Sequence, residues 1–362
     1  MENMKLKFPN NEEIELPFGK PMVVLGANGS GKTRFSIKIE ELNDPAFTSN
    51  RSKSSHIHRL SAQKSLTIEN TIPMYDYESS EKNLFIGNAE SYATKSAYRF
   101  HGDPATVLLN DYQQVLSLLF AEAQKELQNE HENARKCVEQ GNPIPKPNDT
   151  VVDRAVKIWN TLLPHRTIDL SGNCVHVNYN GDRYHGREMS DGERVILYMI
   201  SQALVIKPNS LFIIDEPELH IHKAIVKELW TLLENERLDC IFMYLTHDID
   251  FASSRNDAQY LWIKSYNGSN WEYEFLDVDG YIDLPDELLF EIIGTRQKIV
   301  FVEGTKDSYD YKLYQELSKK IGTKFHLTDK DFPRRVLNLL ANNKEVRAEI
   351  LSALKNYIPE LP

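Results

Sequence analysis

The sequence predicts an α/β protein divided by a helical insertion, on three observations. Apolar runs at 22–25, 211–214 and 241–245 have the length and composition of buried strands. The first leads directly into a glycine-rich loop, after which Phe35, Ile39 and Leu42 recur at helical spacing. Between the first run and the other two lies a pair of helical patterns, over 107–136 and 151–163.

Bulk properties bound the reading before any motif does. A length of 362 residues suits one large domain with an insertion, or two to three smaller ones. Hydrophobic content of 41% and aromatic content of 10% suit a packed core. A formal net charge of −11 argues against a generally basic nucleic-acid coat and leaves room only for a local basic groove. Cys137, Cys174 and Cys240 are too few and too scattered for a disulfide framework or a zinc site, so free thiols in a reducing compartment are expected. No apolar run approaches the ~18 residues of a membrane span. Nor does an apolar core follow Lys5 and Lys7, as a signal peptide would require. The default is a soluble cytoplasmic protein.

Taken in order, 5–8 and 12–16 alternate polar and apolar residues around Pro9-Asn10-Asn11, which reads as a hairpin. The run at 22–25 is the loop strand, and a helix follows it. Residues 43–55 are polar and serine-rich, a loop by composition. His56–Leu60 is a short strand ending at Ser61-Ala62-Gln63. Residues 71–95 show no period. In the long helix over 107–136, Leu108, Tyr112, Val115 and Leu119 form an apolar stripe that fades into charge. The proline-rich turn at 141–147 returns the chain, and the helix over 151–163 is expected to turn Val152, Val156, Trp159 and Leu163 inward. Strands at 168–170, 175–179 and 183–185 follow, the last two joined by Asn180-Gly181-Asp182. Helices at 194–206 and 222–233 alternate with the two later apolar runs. Residues 260–264 and 271–276 flank Asn267-Gly268, a hairpin signal. A helix at 284–293 and a strand at 298–302 complete the pattern.

The glycine loop carries the first chemistry. Gly26, Ala27, Asn28, Gly29, Ser30, Gly31, Lys32 and Thr33 fit Gly-x-x-x-x-Gly-Lys-Thr between a strand and a helix, with Arg34 next. Glycines let backbone N–H groups turn inward around phosphate oxygens, and the helix N-terminus adds its positive end. Lys32 reaches the β/γ-phosphates in such a loop, and the Thr33 hydroxyl holds Mg²⁺. A nucleotide-binding loop follows.

Three further segments gain meaning beside that loop. Asp215-Glu216 ends an apolar strand: Asp215 suits the Mg²⁺ shell and Glu216 suits polarising the attacking water, although acidic turns after core strands are common. Ser190-Asp191-Gly192-Glu193 fits a capping box opening the next helix, and a Ser/Gly helix start is also a second anion site. His247 and Gln63 each end a strand; alone, either could be an ordinary polar residue.

In their order along the chain these segments resemble the Walker A loop, Q-loop, signature, Walker B and switch histidine of an ABC-type ATPase. The run Asp215-Glu216-Pro217-Glu218-x-His220-x-His222 is similar to the non-transporter branch, which includes the overcoming-lysogenisation-defect (OLD) nucleases and RecF-like repair ATPases. Ser190-Asp191-Gly192-Glu193 also suits that branch better than a transporter signature. Arg34 departs from the second Ser/Thr that many such loops carry, and Lys223 stands where relatives often have Pro. The resemblance covers about residues 1–280. It implies ATP and Mg²⁺ as cofactors, with ATP held by Gly26 to Arg34 and Gln63 and closed by Ser190, Gly192 and Glu193 of another subunit. Mg²⁺ would be held by Thr33, Gln63 and Asp215, with Glu216 and His247 catalytic.

The tail adds a second likeness. Ile299-Val300-Phe301-Val302-Glu303-Gly304 resembles the opening of a Toprim domain, in which Glu303 with Asp329 and Asp331 would bind Mg²⁺. The span from Glu303 to Asp329 is short for an intervening strand and helix, so a reduced or partial Toprim-like segment is expected.

The implied fold is an ABC-type P-loop ATPase head with a helical insertion and a small Toprim-like α/β C-terminal segment. Its expected parts are an N-terminal lobe (1–70), an insertion (71–187), a C-terminal lobe (188–283) and the tail (284–362). The implied function is an ATP-driven switch that works as a homodimer or larger homo-oligomer and controls a separate effector, a nuclease or toxin. The combination resembles phage-defence ATPases of PARIS-like or retron-associated kind. An OLD-like nuclease and a RecF-like DNA-repair ATPase are the rival readings; no membrane role is implied, and nucleic acid remains a candidate partner.

Overall fold

The computed structural model describes residues 3–49, 53–255 and 257–276, all within the first of two compact units, residues 1–292. The helix and strand expected at 284–293 and 298–302, the Toprim-like segment, and Glu303, Asp329 and Asp331 lie outside the described residues.

Strand β1 (Asn3–Lys7) pairs antiparallel with β2 (Glu13–Pro17), turning through Pro9–Asn11 as the alternation predicts. Strand β3 (Met22–Leu25) is wholly buried and leads through the glycine loop into α1 (Lys32–Asn43). The stretch expected as loop contains one helical turn, α2 (Pro45–Thr48), because the Asp44 side chain accepts the Ala46 amide at 2.7 Å and caps it. Strand β4 (His56–Leu60) closes this part.

The insertion comprises α3 (Tyr77–Phe85), α4 (Tyr112–Glu139), α5 (Val151–Leu162) and an antiparallel sheet of β5 (Thr167–Asp169), β6 (His176–Tyr179) and β7 (Asp182–His185). The chain then alternates: α6 (Asp191–Val205), β8 (Ser210–Asp215), α7 (Lys223–Glu236), β9 (Ile241–Thr246), α8 (Ile249–Ser253) and the hairpin β10 (Gln259–Tyr266) with β11 (Trp271–Leu276).

Three helical expectations need correction. Helix α4 starts at Tyr112 and not at 107. Its expected first turn is extended because Leu109 instead pairs with the segment after β4: its amide donates to the Gln63 carbonyl at 3.1 Å, and its carbonyl accepts the Ser65 amide at 2.7 Å. Leu108, expected in the apolar stripe, is consequently 59% exposed. In α5 the buried stripe is Val151, Ala155, Ile158, Trp159 and Leu162, whereas Val152, Val156 and Leu163 are only partly buried. The helix is rotated because α6, α7 and β5 all pack against it. Helix α3 was not expected at all. Its inward face includes Ser80, hydrogen-bonded to Ser117 at 3.3 Å, and a polar residue on the buried face hides the period.

The principal sheet runs β11-β10-β3-β9-β8-β4, parallel throughout except for the β10/β11 pair. Alternate residues feed two cores. Met22, Val24, Leu211, Ile213, Met243 and Leu245 face α1 and the β1/β2 hairpin, while Val23, Leu25, Phe212, Ile214, Phe242 and Tyr244 face α6 and the insertion. Burial on both faces is why these strands read as unbroken apolar runs. The registers Leu25↔Thr246, Asp215↔Leu245 and Leu60↔Ile214 bring the carboxyl ends of β3, β9, β8 and β4 to one edge.

A buried ionic network joins the insertion to α1. Lys95 Nζ lies 2.6 Å from Asp44 Oδ2 and 3.4 Å from Glu40 Oε1, and Arg59 Nε lies 3.0 Å from Glu40 Oε2. None of these side chains is more than 4% exposed. Removing one member of a buried pair strands the other's charge. Lys95→Met should therefore cost about 3 kcal/mol, read as a lower urea midpoint. Lys223→Ala, which breaks the exposed Lys223–Asp250 pair, should leave the midpoint unmoved. Equal shifts from the two variants would contradict the network's role.

Candidate nucleotide site

The loop after β3 has the backbone that phosphate enclosure demands. Gly29 and Gly31 take φ of 88° and 94°, in the left-handed region that glycine enters without strain. Gly31 also has no room for a side chain, since a Cβ there would stand 2.7 Å from the Tyr266 Cβ. Its carbonyl accepts the Trp271 indole N–H at 3.2 Å, and Tyr266 stacks on that indole with ring centroids 4.3 Å apart. The last described hairpin therefore braces the loop.

Lys32, on the first turn of α1, folds back over the loop and donates to the carbonyls of Gly26 at 2.8 Å and Ala27 at 3.2 Å. Burial pulls its ammonium below the usual lysine range, while the charges of Glu216, Asp215 and Glu218 push back. Ser30 Oγ is buried and has no hydrogen-bond partner. Next to Lys32, Thr33 Oγ1 donates to Asp215 Oδ2 at 2.7 Å. Burial raises Asp215 above the usual carboxylate range, and the Thr33 hydrogen bond opposes that rise.

Beyond Asp215 the chain turns sharply. Glu216 takes φ of 52°, unusual for a residue with a side chain, and its amide donates to the Leu245 carbonyl at 2.9 Å. The turn directs its carboxylate at His247 beyond the end of β9: Nδ1 lies 2.9 Å from one carboxylate oxygen and 3.1 Å from the other. Glu218 points into the same space, where the Thr246 hydroxyl donates to its Oε1 at 2.7 Å. Oxygen and nitrogen atoms of Glu216, Glu218 and His247 all lie within 4.8 Å of one another.

The other expected residues occupy separate places. Gln63 and Arg34 are exposed. The register Leu60↔Ile214 nevertheless sets the segment that contains Gln63 beside the turn after Asp215. Ser190 and Glu193 form the capping box of α6, with the Ser190 hydroxyl donating to Glu193 Oε2 at 2.6 Å. The second Glu193 oxygen accepts Arg166 at 2.6 Å and the Tyr184 hydroxyl at 2.7 Å. Burial pushes Glu193 up, but hydrogen bonds from Ser190, Tyr184 and Arg166 hold it below the usual range. Its carboxylate is thus engaged within the chain, while Ser190 is exposed and Gly192 lies on the surface beside the His220 carbonyl. None of these side-chain hydrogen bonds runs to residues 26–33.

Two residues to which the motifs gave no role border the site. Glu218 was legible as part of the Glu216-Pro217-Glu218 run, but only the fold turns it toward Glu216. Lys64 had no motif. It lies half-buried after β4, and burial lowers its ammonium to about 8 against the pull of Asp215, Asp111, Glu218 and Glu216.

The groups present fit a magnesium nucleotide: a buried lysine bonded only to neutral carbonyls, an orphaned loop hydroxyl, and a threonine–aspartate pair that could share one cation. The described residues adopt the class expected from sequence, an α/β fold in which a glycine-rich P-loop joins β3 to α1 and a helical insertion lies between Gln63 and Ser190. No family model matches the sequence, and no curated protein matches it. Among solved structures, an SMC head bound to the C-winged helix domain of ScpA is 16% identical over 77% of this chain and 98% of that one, with a TM-score of 0.44. The SMC head domain from Thermotoga maritima is 13% identical over 77% of this chain and 100% of that one, at 0.39. A head with an extended coiled coil bound to the C-terminal domain of ScpA, from Pyrococcus furiosus, is 14% identical over 76% and 96%, at 0.40. Strand order and loop geometry, independent of these likenesses, carry the fold class. No helix among the described residues is long and apolar enough to cross a membrane.

The braced loop makes a specific demand on Gly31. Gly31→Ala should weaken binding of a fluorescent ATP analogue at least about tenfold while circular dichroism stays unchanged. Undiminished affinity would show that the loop does not have to keep this shape.

Proposed function

We propose that this chain binds ATP with Mg²⁺ and hydrolyses it, serving as a switch and not as a metabolic catalyst. The observation that carries the reading is the Thr33–Asp215 hydrogen bond at 2.7 Å, which joins the glycine loop to the acidic end of β8. Lys32 would leave the Gly26 and Ala27 carbonyls for the β/γ-phosphates, and loop amides and Ser30 would surround the remaining oxygens. Thr33 and Asp215, with Gln63 from the neighbouring strand end, would hold Mg²⁺, which neutralises charge on the transferred phosphoryl group. Glu216 would orient the attacking water and accept its proton, and His247 would fix the Glu216 carboxylate from the solvent side.

The Ser190 and Gly192 surface at the start of α6 suits closure over a nucleotide held by a second copy of the chain, because an exposed helix N-terminus attracts phosphate. Glu193 would support that surface by capping. The proposed state is a homodimer or larger homo-oligomer in the cytoplasm, with lobe boundaries near residues 70, 187 and 283. Its output would be control of a separate nuclease or toxin in phage defence; nucleic acid is a candidate trigger. The alternative, nuclease chemistry by Glu303, Asp329 and Asp331, concerns residues outside the described part.

Lys32→Ala should abolish ATP binding, because a phosphate-facing cation stabilises the ground state as well as the transition state. Glu216→Gln should keep binding but lower kcat by about 10²-fold or more. Calorimetric titration beside phosphate release separates the two, and unchanged turnover in Glu216→Gln would remove Glu216 from the mechanism.

Closure by a second copy has its own signature. Ser190→Arg should retain nucleotide affinity and lose ATPase, and mixing it with Lys32→Ala protein should restore part of the activity. Restoration follows because one hybrid interface joins two intact halves. A mixture as inactive as its components would defeat closure by a second subunit.

A further inference from the structure

Glu218 has no task in the mechanism above, yet it sits beside the carboxylate that does. Its Oε1 accepts the Thr246 hydroxyl at 2.7 Å. That hydroxyl in turn accepts the Asp248 amide at 2.8 Å, so its one proton is committed to Glu218. The second oxygen, Oε2, is buried and no donor reaches it. What surrounds Glu218 instead is the Glu216 carboxylate and the His247 ring, with atoms of all three groups within 4.8 Å. A buried oxygen that lacks donors and faces another carboxylate disfavours negative charge and favours a proton.

We propose that Glu218 is a positioning residue that retains its proton and donates it in a hydrogen bond to Glu216, holding the water-orienting carboxylate in place. The inference rests on the ATPase reading, and it deepens the part played by Glu216. Thr246 and Glu218 form one side of the clamp on Glu216 and His247 forms the other. Were both glutamates ionised, they would repel across the turn and release the geometry that the left-handed Glu216 backbone establishes. Burial pushes the Glu218 carboxyl up to about 8; the Thr246 hydrogen bond opposes the rise and the Glu216 charge adds to it. The charged or titratable groups acting on this site are Glu216 on the same turn, His247 after β9, Lys32 of the loop and Lys64 after β4. The donor is present below about pH 8 and lost above it.

The test compares wild type, Glu218→Gln and Glu218→Leu in steady-state ATP hydrolysis across pH, with infrared difference spectra of the nucleotide-free full chain. Glutamine is neutral, donates to Glu216 and accepts from Thr246. Glu218→Gln should therefore match wild-type kcat at neutral pH and lack the fall in kcat that wild type shows as pH rises through about 8. Glu218→Leu should lower kcat about tenfold at every pH with KM for ATP unchanged. The infrared difference between wild type and Glu218→Gln at pH 7 should show the C=O stretch of a protonated carboxyl, vanishing at alkaline pH. An active wild type in which Glu218→Gln is as impaired as Glu218→Leu would overturn the proposal and leave the ATPase reading intact. A wild type that hydrolyses no ATP would defeat that reading instead. The infrared arm decides the proton in either case: absence of the band overturns the proposal, even where Glu218→Leu fails to fold.

Discussion

The hydrogen bond between Thr33 and Asp215 joins the helix start after β3 to the end of β8, although β3 and β8 are not neighbours in the sheet. Strand β9 stands between β3 and β8 and pairs in parallel with both, so the loop and the acidic turn meet only across its end. All six residues of β9 are buried, and Leu245 accepts the Glu216 amide just where the turn begins. One apolar strand thereby sets both the width of the site and the height of its carboxylates. A slip of one residue in either pairing would exchange its two faces and withdraw Asp215 from Thr33.

Charge is distributed around this edge with little surplus. Lys32 and Lys64 face Asp215, Glu216 and Glu218, and burial lowers both ammonium groups while raising Asp215 and Glu218. Such a cluster resists closing on itself, because each group is poorly solvated and incompletely paired. A ligand that brings both negative oxygens and a divalent cation would complete the pairing on both sides. Further back, Glu40, Arg59, Lys95 and Asp44 form a buried ionic network that fixes the insertion against α1. The first cluster is built to respond to a ligand, the second to hold still.

Most of the sheet was legible because its parallel strands are buried on both faces and therefore written as unbroken apolar runs. The glycine loop and Asp215-Glu216 were legible for another reason: their chemistry demands particular residue types at set spacing. The insertion was harder. Polar Ser80 faces inward in α3, Leu109 is used for backbone pairing and not for the start of α4, and α5 packs against several elements that together choose its buried face. Each depends on partners distant in sequence, which local periodicity does not encode. Glu218 and Lys64 escaped for the same reason. Thr246, which holds Glu218, comes from the end of β9, and Asp215 and Glu216, whose charges act on Lys64, come from the end of β8; only the parallel register gathers them.

The order of strands also bears on how the chain acquires its form during synthesis. β3 occupies the middle of the sheet, yet both of its partners, β9 and β10, emerge from the ribosome about two hundred residues after it. The indole that braces Gly31 comes from a residue 240 positions later. Until those segments exist, the nascent chain displays an apolar strand with both edges open, a state that invites misassociation. The glycine loop cannot be held in its final shape by any shorter product. Nucleotide can therefore assist folding only after the β10/β11 hairpin has been made, and truncated chains that stop before β9 should depend on chaperones for as long as they persist.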